Sequence, residues 1–261
     1  MSKVHYFNNI AWITGASSGL GRDLAIQLSQ KEWQLILSGR NRSALEHTKT
    51  SCLNPSLHRI LPFDASDINA VNTALKSIDV TPSLVILNAG VSQRAVSYEL
   101  DTNVLYYSTQ VNYLTPVHIA SSLLPDMMQQ SGGLIVAVSS VASVAGVPGR
   151  SAYASAKAAL NIYMSTIATE CYASGVRVTI VYPGFIQTPI SVHALRKDGT
   201  QHQKMDITHT DAMDSTHAAS VIIKKLGNPA IWIGLTPRLK LLRFFARYSP
   251  SFLYSRMRKM V

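Results

Sequence analysis

Charge is scarce in this sequence: 15% of its 261 residues are Asp, Glu, Lys or Arg, against 47% hydrophobic ones. That balance excludes a largely disordered chain. Cysteine is scarcer still. Cys52 and Cys171 are too few for a disulfide framework and have no partners at metal-ligand spacing, which excludes a disulfide-stapled scaffold and a zinc module and fits a reducing compartment. No apolar run reaches the roughly 18 residues of a membrane-spanning helix. The opening "MSKVHYFNN" lacks the apolar stretch of a signal peptide, so the expected location is the cytoplasm. Internal repeats and low-complexity segments are absent, and the length suits one well-buried domain.

Acids are the rarer charge, 14 against 24 Lys and Arg, for a formal net charge of +10. The excess is local. From Leu235 to Val261 stand Arg238, Lys240, Arg243, Arg247, Arg256, Arg258 and Lys259, seven bases with no acid among them.

What the chain has is alternation. Short apolar runs at 10–14, 34–39, 58–64, 83–90, 133–140, 176–184 and 230–234 read as seven strands, and their near-continuous Val, Ile and Leu suit a parallel sheet covered on both faces. Helical patterns fall between them, notably over 22–30, 104–130, 151–173 and 215–226. The expected fold class is α/β, a doubly wound, Rossmann-like parallel sheet of seven strands in a single domain.

Behind the first strand, "TGASSGLG" places Gly15, Gly19 and Gly21 at the mouth of a helix. Glycines there allow a tight turn and close backbone approach, and the helix N-terminus offers free N–H groups to a pyrophosphate. Arg22 and Asp23 follow where a P-loop would need Lys and Ser or Thr. The second strand ends in Gly39 and Arg40, where a carboxylate would read a ribose 2′-hydroxyl and an arginine suits a 2′-phosphate, with Ser17 or Arg42 in support. NADP(H) is therefore expected over NAD(H). In "SAYASAKAAL", Tyr153 and Lys157 share one helical face, so an ammonium can lower the pKa of a phenol. Ser140 ends the fifth strand thirteen residues before Tyr153, with Ser139 as its neighbouring alternative, and Asn112 is a polar residue in an apolar helical setting.

These motifs, in this order, resemble the short-chain dehydrogenase/reductase family from about Ile10 to Gly234: "TGASSGLG" the cofactor loop, "NAG" at 88–90 the mid-sheet motif, "YASAK" the active-site signature, and "YPGFIQTP" the segment after strand six. The resemblance implies a catalytic tetrad of Asn112, Ser140, Tyr153 and Lys157. Tyr153 would be the general acid in carbonyl reduction, Ser140 would orient the carbonyl, Lys157 would hold the nicotinamide ribose, and Asn112 would anchor a water in the proton relay. It also implies cofactor contacts from Gly15, Ser17, Ser18, Gly19, Leu20 and Gly21. Further contacts are implied from Arg40, Asp64 and Ala65, from Asn88, Ala89 and Gly90, and from Pro183, Gly184, Ile186 and Thr188. A small-molecule carbonyl or alcohol substrate and a homo-oligomer, dimer or tetramer, follow from the same resemblance.

For Asp64, Asn88 and Thr188 a structural role stays open: a helix cap, a tie between strands, and a second cap. Residues 1–234 form the expected catalytic domain, and the polar stretch 191–214 is expected to be a mobile substrate loop. His193, His202, His209 and His217, in or just beyond it, match no zinc spacing and read as solvated. In the tail 235–261 a helical wheel gathers Lys240, Arg243 and Arg247 opposite Leu239, Leu241, Leu242, Phe245 and Tyr248. That pattern suits an amphipathic helix on an anionic membrane surface, or equally a cover for the pocket or a subunit contact. Nucleic acid is not expected, because no binding motif accompanies the charge. Besides an enzyme, an NADP(H)-binding sensor or scaffold without turnover stays open.

Overall fold

The computed structural model describes residues 3–203, 212–226, 230–235 and 238–258. Seven parallel strands form one sheet in the order β3-β2-β1-β4-β5-β6-β7: β1 (Ile10–Thr14), β2 (Gln34–Ser38), β3 (Arg59–Ile60), β4 (Leu84–Leu87), β5 (Leu134–Val138), β6 (Arg177–Tyr182) and β7 (Trp232–Gly234). All seven strands expected from the apolar runs are present, shortened at their ends. β3 keeps only two paired residues, Arg59 and Ile60, beside Ile36 and Leu37.

Strand alternation divides the core in two. Trp12, Val85, Leu87, Ile135 and Ala137 face one side, under α5 (Thr115–Gln129) and α6 (Ser151–Glu170). Ala11, Ile13, Ile86, Leu134 and Val136 face the other, under α1 (Gly19–Ser29) and α7 (Ser215–Leu226). Both faces are covered, which is why the strands carry almost no polar residues.

Two short helices lie outside the strong periodic patterns. α2 (Arg42–Thr50) is capped by Asn41, whose side chain accepts from Ala44 N at 3.0 Å, and α3 (Ile68–Lys76) by Asp67, which accepts from Asn69 N at 2.9 Å. The single helix expected over 104–130 is instead α4 (Thr102–Thr109), a π-helical turn at Gln110–Leu114, and α5. Pro116 explains the interruption, because it has no N–H to offer the Asn112 carbonyl and the regular ladder breaks there.

The segment after β6 is partly tied down. Leu195 N donates to Ser92 O at 2.9 Å, Arg94 N to Leu195 O at 2.7 Å, and Asp101 N to Lys197 O at 2.9 Å, so residues up to 203 lie along the loop that follows β4. His209 falls outside the described residues. The tail forms α8 (Arg238–Tyr248) and α9 (Pro250–Met257), with Pro250 opening the second. Arg243 departs from the helical-wheel expectation: its guanidinium lies 4.3 Å from the ring centroid of Trp232, itself stacked on Tyr182. The half-buried Trp232 ring at the sheet edge, backed by buried Tyr182, draws that cation inward. Lys259 is outside the described residues.

Among the described residues no helix is long and apolar enough to cross a membrane.

Candidate active site

After β3 the chain returns to the middle of the sheet and β4 lies beside β1, so connections leave these two strands in opposite directions. A crevice opens at their C-terminal ends, as it does in doubly wound sheets. Here it is a cleft of about 610 Å³, running from Arg40, Asp64 and Ala65 at one end, past the glycine loop, to Ser140, Tyr153 and Lys157.

Gly15 and Gly19 have φ of +68° and +50°, the left-handed region that side chains disfavour, and both line the cleft. Ser17, Ser18 and Leu20 line it with them, at the N-terminus of α1 where backbone N–H groups have no helical acceptors. Gly21 does not line the cleft, which corrects its expected contact with a ligand. A Cβ there would lie 2.2 Å from Gly15 O and 2.6 Å from Asn88 Nδ2, so Gly21 serves the close packing of α1 on β1 and β4. A Cβ on Gly19 would meet Thr188 Cγ2 at 3.0 Å, which puts Thr188 directly across the loop.

Asn88 both lines the cleft and ties strands together: its Nδ2 donates to Thr14 O at 3.1 Å and Gly15 O at 3.2 Å, while its N–H donates to Thr14 Oγ1 at 3.0 Å. Asp64 likewise lines the cleft while accepting from Ser66 N and Ser66 Oγ, each at 2.8 Å. It closes a local turn; the cap of α3 is Asp67. Arg40 reaches across the far end and donates to Tyr107 Oη at 2.9 Å. Ser17 is on the lining and Arg42 is not. Ala89, Gly90, Pro183, Gly184 and Ile186 complete the expected walls.

At the opposite end α6 presents Tyr153 and Lys157, both buried. The Ser140 hydroxyl lies close enough to Tyr153 to favour its ionised form, and accepts from Ala142 N at 3.1 Å. Ser139 turns instead to Ser143, 3.2 Å between hydroxyls. Lys157 Nζ donates to Val138 O at 2.8 Å and lies beneath Gly90. Asn112 is buried behind the same glycine. Its Oδ1 accepts from Val91 N at 3.2 Å and its Nδ2 donates to Val91 O at 2.9 Å and Ser108 O at 3.0 Å, so its amide pins the turn after β4.

Burial raises the Tyr153 phenol above its ordinary value, opposed by the Ser140 hydrogen bond and by the charge of Arg94. Burial lowers the Lys157 ammonium from 10.5 to about 8. A further cation that favours the ionised form of Tyr153 is Arg94, which the sequence did not single out. It stands in a loop placed by the bonds to Leu195 and Gly149, and nothing in its local pattern marks it.

Asn161 had a visible signal. It continues the α6 face of Tyr153 and Lys157 by one more turn, and its Nδ2 donates to Ser143 Oγ at 2.7 Å. Ser143 Oγ donates in turn to Ser140 O, so Asn161 fastens the turn carrying Ser140 to the helix carrying Tyr153. Arg150 and His193 also line the substrate half. Among the described residues no group of His, Cys, Asp or Glu is placed to hold a metal ion.

An open parallel sheet with a glycine loop at its switch point and a Ser, Tyr and Lys group across the cleft defines a dinucleotide-binding α/β oxidoreductase. The chain belongs to the short-chain dehydrogenase/reductase family: the family model for short chain dehydrogenases matches residues 9–199. It is 30% identical to a dehydrogenase/reductase SDR family protein 7-like of Anopheles gambiae, over 98% of this chain and 84% of that one. It is also 30% identical to dehydrogenase/reductase SDR family member 7B of Rattus norvegicus, over 94% and 79%.

Solved structures share the fold. A short-chain dehydrogenase from Streptomyces avermitilis superposes with a TM-score of 0.82 at 21% identity, covering 97% of each chain. One from Sphingobium yanoikuyae, in complex with NADPH, does so at 0.77 and 22%, covering 97% of this chain and 95% of that one.

Proposed function

We propose that this protein transfers hydride between NADP(H) and a carbonyl or secondary alcohol on a lipophilic small molecule. The cleft fits a dinucleotide: its two left-handed glycines leave a cradle open at the α1 N-terminus, and its length links Arg40 to Tyr153. A bound nicotinamide supplies or accepts the hydride.

The chain's residues do the rest. Arg40 and Ser17 hold the 2′-phosphate, and Asp64 and Ala65 border the adenine. Asn88, Ala89 and Gly90 form the adenosine side, while Pro183, Gly184, Ile186 and Thr188 close over the carboxamide and phosphates. In reduction Tyr153 gives its hydroxyl proton to the substrate oxygen, and Ser140 hydrogen-bonds that oxygen and so orients it. Lys157 binds the ribose and favours the phenolate left on Tyr153. The Asn112 carbonyl, to which Pro116 has no N–H to offer, holds the water through which the proton is replaced.

The observation that carries this reading is the meeting of Ser140, buried Tyr153 and buried Lys157 on one cleft together with the glycine loop. Supporting a dimer or tetramer, Leu105, Tyr106 and Leu114 around α4 and Ile162 on α6 leave apolar side chains exposed. We place the activity in the cytoplasm, at the face of an anionic membrane reached by the basic tail.

The test is a fluorescence titration with NADPH and NADH, followed by a panel of ketones with the wild type and Tyr153→Phe. Preference for NADPH, and ketone turnover lost in the variant without loss of NADPH binding, is the expected result. Tight NADPH binding with no turnover across the panel would replace the enzyme by a nucleotide-binding sensor.

A further inference from the structure

The tail shows an apolar face open to solvent. Arg243 is folded onto Trp232, and the residues on the outer side of α8 are Leu241, Phe244 and Tyr248, at 59%, 55% and 72% exposure. Their rings run on into α9. Phe244 lies 5.2 Å from Tyr248 and 5.7 Å from Phe245, and Phe245 lies 5.0 Å from Phe252, between ring centroids. Arg256 sits 5.5 Å over the Phe252 ring, and Arg247, Arg256 and Arg258 are all exposed. Three exposed rings, Phe244, Tyr248 and Phe252, joined through half-buried Phe245 and fringed by arginines, thus meet solvent.

Charge decides among occupants. With no Asp or Glu from Leu235 to Val261, a second copy of this face would set arginine against arginine, whereas an anionic headgroup layer neutralises them. Aromatic and leucine side chains among arginines also match the chemistry of the interfacial zone, where rings sit at headgroup depth and guanidinium groups reach phosphate.

The second of these helices approaches a loop of the cleft. Leu253 is buried and anchors α9, and a methyl added at Gly146 would stand 4.0 Å from Tyr254 Cε1, ordinary van der Waals contact. Gly146 precedes Val147, which with Val141 and Ala142 lines the substrate half. The tail therefore lies beside the loop that carries one wall of the cleft.

We propose that α8 and α9 are a docking face for an anionic lipid bilayer, and that the seat of Tyr254 against Gly146 holds the substrate mouth at that surface, so that a lipid-dissolved carbonyl compound reaches Tyr153 from the bilayer. The second half of this proposal rests on the oxidoreductase reading; the first half does not.

The experiment uses the full chain with vesicles of phosphatidylcholine, with and without phosphatidylserine. Co-sedimentation is expected only with phosphatidylserine, and it should weaken as salt is raised. The double variants Phe244→Ser/Tyr248→Ser and Arg247→Glu/Arg258→Glu should each lose about tenfold or more in vesicle affinity. An NADPH titration unchanged from wild type shows that both variants are folded. A long-chain ketone dissolved in the vesicles should be reduced by wild type and lost to the variants, while a short water-soluble ketone is reduced by all three.

Equal binding to neutral vesicles, no binding to either kind, or variants that bind as wild type does would overturn the docking face. Light scattering that shows the variants losing an oligomer, with wild type ignoring vesicles, would make it a subunit contact instead. Equal loss of both ketones would overturn the placement of the mouth. Turnover of neither ketone by wild type would count against the oxidoreductase reading and the mouth together, leaving docking to be judged by sedimentation.

Discussion

At the scale of single residues the two ends of the cleft make separable predictions. Arg40 stands where a 2′-phosphate would lie and already donates to a neutral acceptor, Tyr107 Oη. Arg40→Asp removes a charge-assisted contact and adds repulsion, so NADPH affinity should fall by about tenfold to a hundredfold while NADH changes little, because such contacts contribute roughly 1.5–3 kcal/mol. Equal losses for both cofactors, measured by fluorescence titration, would refute the assignment. Lys157 predicts a pH dependence. With its pKa lowered to about 8, it carries charge below that value and loses it above. A cofactor held by the ammonium is bound best below about pH 8, and its association constant should fall by up to about tenfold per pH unit above it, the slope for one linked proton. Lys157→Met should flatten that dependence. The apoprotein moves the other way: between about 8 and 10.5 the unfolded chain binds more protons at this lysine, so its contribution to stability rises with pH. The pairing of Tyr153 with Lys157 was legible because helical spacing alone brings the two together. Arg94 was not, because a loop brings it in from 59 residues earlier in the chain, held by backbone bonds to Leu195 and Gly149.

Elements show where periodicity informs and where it fails. The strands could be read because burial on both faces leaves most of their residues apolar, and α7 because Ala218, Ala219, Ile222, Ile223 and Leu226 repeat at helical spacing. In α2 only Leu45 and Thr48 are buried, too thin a stripe to mark a helix, and its start is written in the Asn41 cap instead. The π turn at Gln110–Leu114 left no periodic trace; its one local sign was Pro116 inside an apolar pattern, joined by Asn112 bonding back to Ser108 and across to Val91. The glycine loop was legible as a loop, but its glycines divide their labour. Gly21→Ala puts a carbon 2.2 Å from Gly15 O, and backbone cannot yield as a flexible side chain would. Overpacking of this kind costs roughly 1–3 kcal/mol. We expect Gly21→Ala to lower the unfolding midpoint and to weaken NADPH only through the displaced loop. A variant of unchanged stability would show that α1 can shift on the sheet and that Gly21 is not a packing residue.

For the whole molecule, the cleft, the core and the tail answer to different forces and should separate in one thermal series. A ligand that binds only the folded state at a hundred times its dissociation constant adds about 2.7 kcal/mol. For a domain of this size each kcal/mol raises the midpoint by roughly 2–4 °C, so saturating NADPH should raise it by about 5–10 °C. In Arg40→Asp about half or more of that shift should vanish at the same NADPH concentration while the apoprotein midpoint stays close to wild type, because Arg40 is exposed. In Arg247→Glu/Arg258→Glu the whole shift should persist, since both arginines are exposed and stand on the tail rather than on the cleft lining. Salt sharpens the distinction: raising it should screen the tail's attraction to anionic vesicles far more than the contacts made inside the cleft. A tail variant that lost its NADPH shift would mean that the bases of α8 and α9 act on the nucleotide, and the molecule would then have a single electrostatic site where the structure separates two.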